Sequence, residues 1–305
     1  MRIVVFGPEQ RVGAWEGEEI VDLNRADSQI PANLQAFVEM GEAALARAKA
    51  AIPRATVKAA AKDVALHAPW PGRRIACAGG NFGDHLVGMD INMRGEKDST
   101  VEKTVARTRA GGNWGFWKVP VVVAGPEDDV PYPARTKYLD YEGEAAIVIG
   151  KRGKNIKAAD IKDYVWGVTL MNDWSIRDGR SGPPRAMSFN MGKNFDMSAS
   201  LGPSIVVGEL DPQNVDVELR VNGDLRQRYN TKDMIFSFGE VLEFLSQDFT
   251  FYPGDVISGG TAAGTAADST KTAPDGSRPT ERFLKKGDVV EITSPKIGLL
   301  RNRIV

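Results

Sequence analysis

The sequence predicts an α+β protein in which strands dominate. Three observations carry that expectation. Short β-rich runs recur between turn residues, among them 32 glycines and 17 prolines. Helical periodicity is confined to a few segments. The strands do not alternate regularly with helices of crossover length, which argues against a doubly wound parallel sheet.

The first stretch reads as three short strands at 3–6, 13–15 and 19–21, separated by turns. Residues 31–51 read as one helix. Leu34, Phe37, Val38, Met40, Ala44 and Leu45 form its apolar stripe, Pro31 suits a first turn, and Pro53 ends it. Residues 1–71 are therefore expected to form a small α/β N-terminal domain, closed by Pro69-Trp70-Pro71, and 72–305 a larger domain. In the larger domain the expected strands are 74–78, 121–124, 145–149, 166–171, 204–207, 215–221, 255–258 and 288–292. One helix is expected at 237–245, with Phe238, Val241, Leu242 and Leu245 on one side. Residues 92–115 are charged and glycine-rich, with helical potential at 101–109, and 262–280 are rich in small and polar residues. Long segments of this kind in a compact domain often act as lids or binding loops.

Composition narrows the function classes. The chain has 305 residues, 42% of them hydrophobic and 26% charged, which is ordinary for a globular protein with a sizeable core. A net charge of −1 gives no reason to expect a nucleic-acid or anionic-membrane partner. No apolar run has membrane-spanning length, and no signal-peptide core opens the chain, so the expected location is cytoplasmic. The single cysteine, Cys77, and two histidines rule out an internal disulfide, a thiolate zinc site and a histidine-rich metal cage.

The most informative motif is Asp140-Tyr141-Glu142-Gly143-Glu144, running into an apolar stretch. On one strand, period-2 geometry places Asp140, Glu142 and Glu144 on the same face. Burying three like charges is costly unless a cation sits among them, and oxygen ligands suit Mg2+, Mn2+ or Ca2+. A solvated edge strand would explain the same pattern, and the motif alone leaves both open. Asp173, just past the expected strand 166–171, is a further ligand candidate, although Asp173 or Ser175 could instead cap a helical turn. Arg177 suits either a partner for one carboxylate or an anchor for an anionic substrate. Lys193 could offset an enolate charge or lie on the surface. His85, after Gly79-Gly80-Asn81-Phe82-Gly83-Asp84, could be a general base or a structural histidine. His67 lacks polar neighbours of interest and is expected to be structural.

Taken together, these segments resemble the fumarylacetoacetate hydrolase superfamily from about Arg74 to the C-terminus. The resemblance rests on Leu139 to Glu144, Asn172 to Asp178, Gly192-Lys193, the run from Pro253 to Thr261, and the ending Lys286 to Glu291 with Ile297-Gly298 and Arg301-Asn302-Arg303. It implies a mixed β-roll catalytic domain, a homodimer, and a divalent metal, Mg2+ foremost, held by Glu142, Glu144 and Asp173. Asp140 would then support the ligands. The resemblance also gives His85 the role of base and Lys193 that of site lysine. Thr261 would contact a substrate carboxylate, Arg177 would lie near the substrate, and Lys118 would be structural.

The substrates this resemblance implies are 2,4-diketo acids of the acylpyruvate type, or related 2-hydroxy-dienoates. The expected activity is hydrolytic cleavage of a C–C bond through a metal-stabilised enolate. The same intermediate serves isomerases, tautomerases and decarboxylases, which are the alternative; a catalytically silent metal- or ligand-binding protein is a third reading. One departure bears on this choice. Many smaller members carry a glutamate three residues after the histidine, and here that residue is Gly88. An acid from 262–281 is expected to pair with His85 instead, Asp268 before Asp275 or Glu281. Without such a pair, isomerase or decarboxylase activity gains weight. The longer segment between His85 and Lys118 could form a lid over the substrate or only decorate the dimer surface. Arg107, Arg109 and Arg180 are candidates for a second substrate carboxylate.

Overall fold

The computed structural model describes residues 1–178, 189–273 and 277–305. Most strands join one 11-stranded sheet. Its order runs Lys58–Ala60, Glu19–Asp22, Arg11–Glu16, Arg2–Phe6, Ala199–Val207, Val165–Asp173, Gly143–Ile149, Val256–Ser258, Ile75–Ala78 and Gly115–Lys118, with Leu66–His67 added beside Arg2–Phe6. A five-stranded sheet contains Asp224–Asn230, Asp216–Val221, Val289–Ser294, Gly298–Ile304 and Asp129–Val130. Strands thus outweigh helices, as the β-dominated α+β reading expects. The N-terminal strands continue the large sheet, because Arg2 and Ile3 pair antiparallel with Val206 and Ile205. No helix among the described residues is long and apolar enough to cross a membrane.

The central strands Gly143–Ile149 and Ala199–Val207 are buried along their whole length. This explains their near-continuous apolar sequences: both faces are covered. One core lies between the large and five-stranded sheets and includes Ile147, Leu170, Leu219 and Ile292. Another packs Phe37, Val38, Leu45 and Ala48 against Val148, Met171 and Ile205.

Three local expectations change. The helix expected at 31–51 is two helices, Leu34–Met40 and Glu42–Ala51, broken at Gly41, whose φ of 59° lies in the left-handed region open to glycine. Asn33, not Pro31, sets the start, its side chain accepting the Ala36 N–H. Residues 121–124 form no strand: Val121 is 87% exposed, and only Ala124 makes an isolated bridge, to Ser200. Valine richness there reflects a surface segment and not a sheet position. The helix Phe238–Leu245 forms as expected, closed by a capping box between Ser237 and Glu240.

Candidate active site

Two neighbouring strand ends assemble the carboxylates. Gly143–Ile149 pairs with Val165–Asp173 so that Gly143 opposes Asn172 and Glu144 opposes Met171. Asn172 Oδ1 accepts the Glu142 N–H at 3.0 Å, and the Glu142 carbonyl accepts the Asp173 N–H at 3.0 Å. One side-chain oxygen each from Glu142, Glu144 and Asp173 then lie within 4.8 Å of one another, all three residues being buried. Among the described residues this is the one cluster of its kind.

The electrostatics fit a cation. Burial pushes the Glu144 carboxyl well above its usual range, and the charges of Asp173 and Glu142 add to it. For Glu142 burial pulls the same way, but Arg177 and Lys193 outweigh it and hold the carboxyl well below the usual range. Adjacent carboxyls pushed apart in this way mark a repulsive site that a metal would relieve. The donors are all oxygens, which suits a hard divalent ion.

Cations already surround the triad. Lys193, at the end of the helix Phe189–Lys193, donates to Glu142 and, at 2.6 Å, to Asp173 Oδ2. Burial would lower its pKa, yet Asp173 and Glu142 raise it overall, so it stays charged. Lys118 is also buried and donates to Asp173 Oδ1 at 2.5 Å and to the Lys193 carbonyl at 2.6 Å. Its structural role therefore consists of fixing a triad carboxylate.

Asp140 does not share the Gly143–Ile149 strand that carries Glu144. Leu139–Asp140 pairs with Ser175–Ile176, and the chain leaves strand geometry before Gly143. The single period-2 face drawn from the motif is thus interrupted. Asp140 instead accepts from Arg177 Nε at 3.0 Å and from the N–H groups of Ala266 and Ala267 at 2.7 and 3.1 Å. It ties the segment after Thr261 to the site. Asp173 lies within its strand, not past it, and neither it nor Ser175 caps a helix; the Ser175 hydroxyl donates to Glu142 Oε2 at 3.2 Å. Arg177 spans Asp140 and Glu142.

His85 sits in the short helix Gly83–Met89, its Nδ1 2.7 Å from Asp268 Oδ2. The N–H groups of Gly264 and Thr265 and the Ser269 hydroxyl donate to the Asp268 carboxylate. Burial would lower the His85 pKa, but the bond and charge of Asp268 outweigh it and raise it. Asp268 is therefore the acid beside His85. Asp275 lies outside the described residues, and Glu281 is exposed.

His85, the triad, Arg177 and Lys193 line a cavity of about 110 Å³ that also reaches Thr261 and Arg94. The Thr261 hydroxyl donates to the Gly143 carbonyl at 3.1 Å and accepts from Gln227 at 2.8 Å. Two expected carboxylate binders are elsewhere. Arg107 pairs with Asp90 and Glu96, and Arg109 with Glu240, so both are spent on holding the 101–111 helix in place. Arg180 lies outside the described residues. Sequence reasoning missed Arg94, Trp114 and Phe116 in the cavity wall. A faint signal existed in Gly79, where a Cβ would stand 2.4 Å from the Trp114 ring. His67 is structural, its Nε2 lying 2.8 Å from the Gly7 carbonyl.

Residues 74–305 match the family described as fumarylacetoacetate (FAA) hydrolase, C-terminal. A mitochondrial oxaloacetate tautomerase of Xenopus laevis is 33% identical over 314 residues, spanning 100% of this chain and 90% of the relative. An oxaloacetate tautomerase of Bacillus subtilis (strain 168) is 34% identical over 308 residues, spanning 95% of this chain and 94% of the relative. A solved fumarylacetoacetate hydrolase from psychrophilic Exiguobacterium antarcticum matches with a TM-score of 0.78 at 29% identity, covering 100% of this chain and 99% of that one. Sequence, fold and the buried carboxylate triad agree: this chain belongs to the fumarylacetoacetate hydrolase family.

Proposed function

We propose that the protein is a divalent-metal-dependent tautomerase that interconverts the keto and enol forms of a small 2-oxo diacid of the oxaloacetate type. The observation that carries this reading is His85, backed by Asp268, facing with the Glu142/Glu144/Asp173 triad a cavity of only about 110 Å³. Sites for drug-sized ligands span roughly 300–1,000 Å³. A four-carbon acid suits the smaller space, and the full-length likeness to oxaloacetate tautomerases supports the same choice.

A cation held by Glu142, Glu144 and Asp173 would polarise the 2-oxo group and stabilise negative charge on its oxygen. The remaining steps fall to the chain. Asp268 holds the Nδ1 side of His85, which leaves Nε2 to take a proton from the carbon beside the oxo group. Lys193, kept cationic, offsets the charge that develops on oxygen. Protonation of that oxygen completes the interconversion, and no C–C bond breaks.

The hydrolase reading expected from the sequence shares this site. The Asp268 pairing is the feature it required, so a second reading is cleavage of a short acylpyruvate with His85 activating water. The two part on products. With Mg2+ or Mn2+, the enol absorbance of oxaloacetate should relax faster with enzyme than without it, and no fragments should form. Pyruvate released stoichiometrically from an acylpyruvate, with no effect on oxaloacetate enolisation, would establish the hydrolase instead.

A further inference from the structure

The helix that carries His85 continues into a π-helical turn, Asp90–Arg94, ended by Gly95 at φ 76°. Asp90, its first residue, is fully buried. It accepts from Arg94 Nη1 and Arg107 Nη2, both at 2.5 Å, and from the Ser99 hydroxyl at 2.8 Å. One terminal nitrogen of the half-exposed Arg94 guanidinium is thereby anchored. Its Nε and Nη2 make no hydrogen bond to another described residue, and Arg94 lines the cavity that holds the triad.

Arg94 differs from the other cations of that cavity. Lys193 is spent on Glu142 and Asp173, and Arg177 on Asp140 and Glu142. Both therefore lie at the triad end. Arg94 comes from the turn that follows the His85 helix, and its ion pair is with Asp90 and with none of the triad carboxylates. A diacid whose oxo-acid head sits at the triad needs a cation for its far carboxylate, and a guanidinium with one nitrogen anchored and donors left over suits that task.

We propose that Arg94 is the specificity residue that binds the distal carboxylate of a dicarboxylate substrate. The proposal rests on the oxo-acid reading of the site, and it selects diacids over monoacids within it. The test compares wild type, Arg94→Gln and Arg94→Lys in the Mn2+-loaded protein. The readouts are kcat and KM for oxaloacetate enolisation and calorimetric Kd values for oxaloacetate and pyruvate. Loss of a charged hydrogen-bonded contact should raise KM and Kd for oxaloacetate about 10–100-fold in Arg94→Gln, with kcat and the pyruvate Kd changed less than about threefold. Arg94→Lys keeps the ion pair with Asp90 and should recover part of the loss, which separates binding from a folding defect. Equal weakening of oxaloacetate and pyruvate, or no change in either, would overturn the assignment. If wild type fails to enolise oxaloacetate, the tautomerase reading falls, while the two Kd values still decide the role of Arg94. Failure of wild type to bind oxaloacetate more tightly than pyruvate overturns it as well.

Discussion

Gly88 and Asp268 occupy each other's space. A Cβ at Gly88 would stand 2.8 Å from the Asp268 carbonyl oxygen and 2.9 Å from its Cβ. The missing side chain on the His85 helix is what lets the later loop deliver its carboxylate to His85 Nδ1. Gly88→Glu should therefore displace the 264–268 turn and lower kcat by about 100-fold or more, the scale of general-base catalysis. Combining it with Asp268→Gly removes the Cβ part of the clash, lets the freed glycine backbone shift its carbonyl aside, and supplies an acid from the helix. That double variant should exceed Asp268→Gly alone in kcat, and equal activity of the two would refute the exchange.

The pH profile of kcat/KM should show an acid limb set by His85. Its pKa is raised, so the neutral, proton-accepting form is lost as pH falls through that raised value. Asp268→Asn removes the charge that raises it. The limb should move to lower pH while the plateau falls. A limb that stays in place would assign the titration to another group.

Metal should stabilise the fold. The triad is repulsive without a cation, and a ligand at 100 times its Kd adds about 2.7 kcal/mol. Mn2+ or Mg2+ should raise Tm in wild type and fail to do so in Glu142→Ala. Because Glu144 has a raised carboxyl pKa, protons compete with the metal there, and the Tm gain should grow as pH rises. A Tm gain of the same size in Glu142→Ala would place the metal elsewhere.

Lys118→Met should expose how the site is held without metal. Lys118 and Asp173 are both buried, so losing the cation leaves Asp173 with fewer compensating charges. Breaking a buried pair costs about 3–5 kcal/mol. Urea unfolding should show that loss in the metal-free protein and a smaller one at saturating Mn2+. Equal losses in both conditions would mean that Lys118 acts through packing alone.

Residue chemistry and local spacing by themselves determined much here. The alternating carboxylates stood out because buried like charges need a cation among them, whereas Asp173, Lys193 and His85 each kept a structural alternative until the resemblance to the family gave them site roles. The strand-rich architecture was legible because turn residues punctuate the apolar runs. Other features depended on contacts between distant segments. Asp140 leaves the triad because its strand pairs with Ser175–Ile176, and strand pairing is not written in period-2 spacing. Asp268 was one of three candidate acids until the fold set its carboxylate 2.7 Å from His85, 183 positions away in sequence. Arg94 carried no local mark that distinguished it from Arg107 and Arg109. Only the tertiary structure decided which of these arginines meets the cavity, because buried Asp90 fixes their directions and the nearby Glu240 holds Arg109 away.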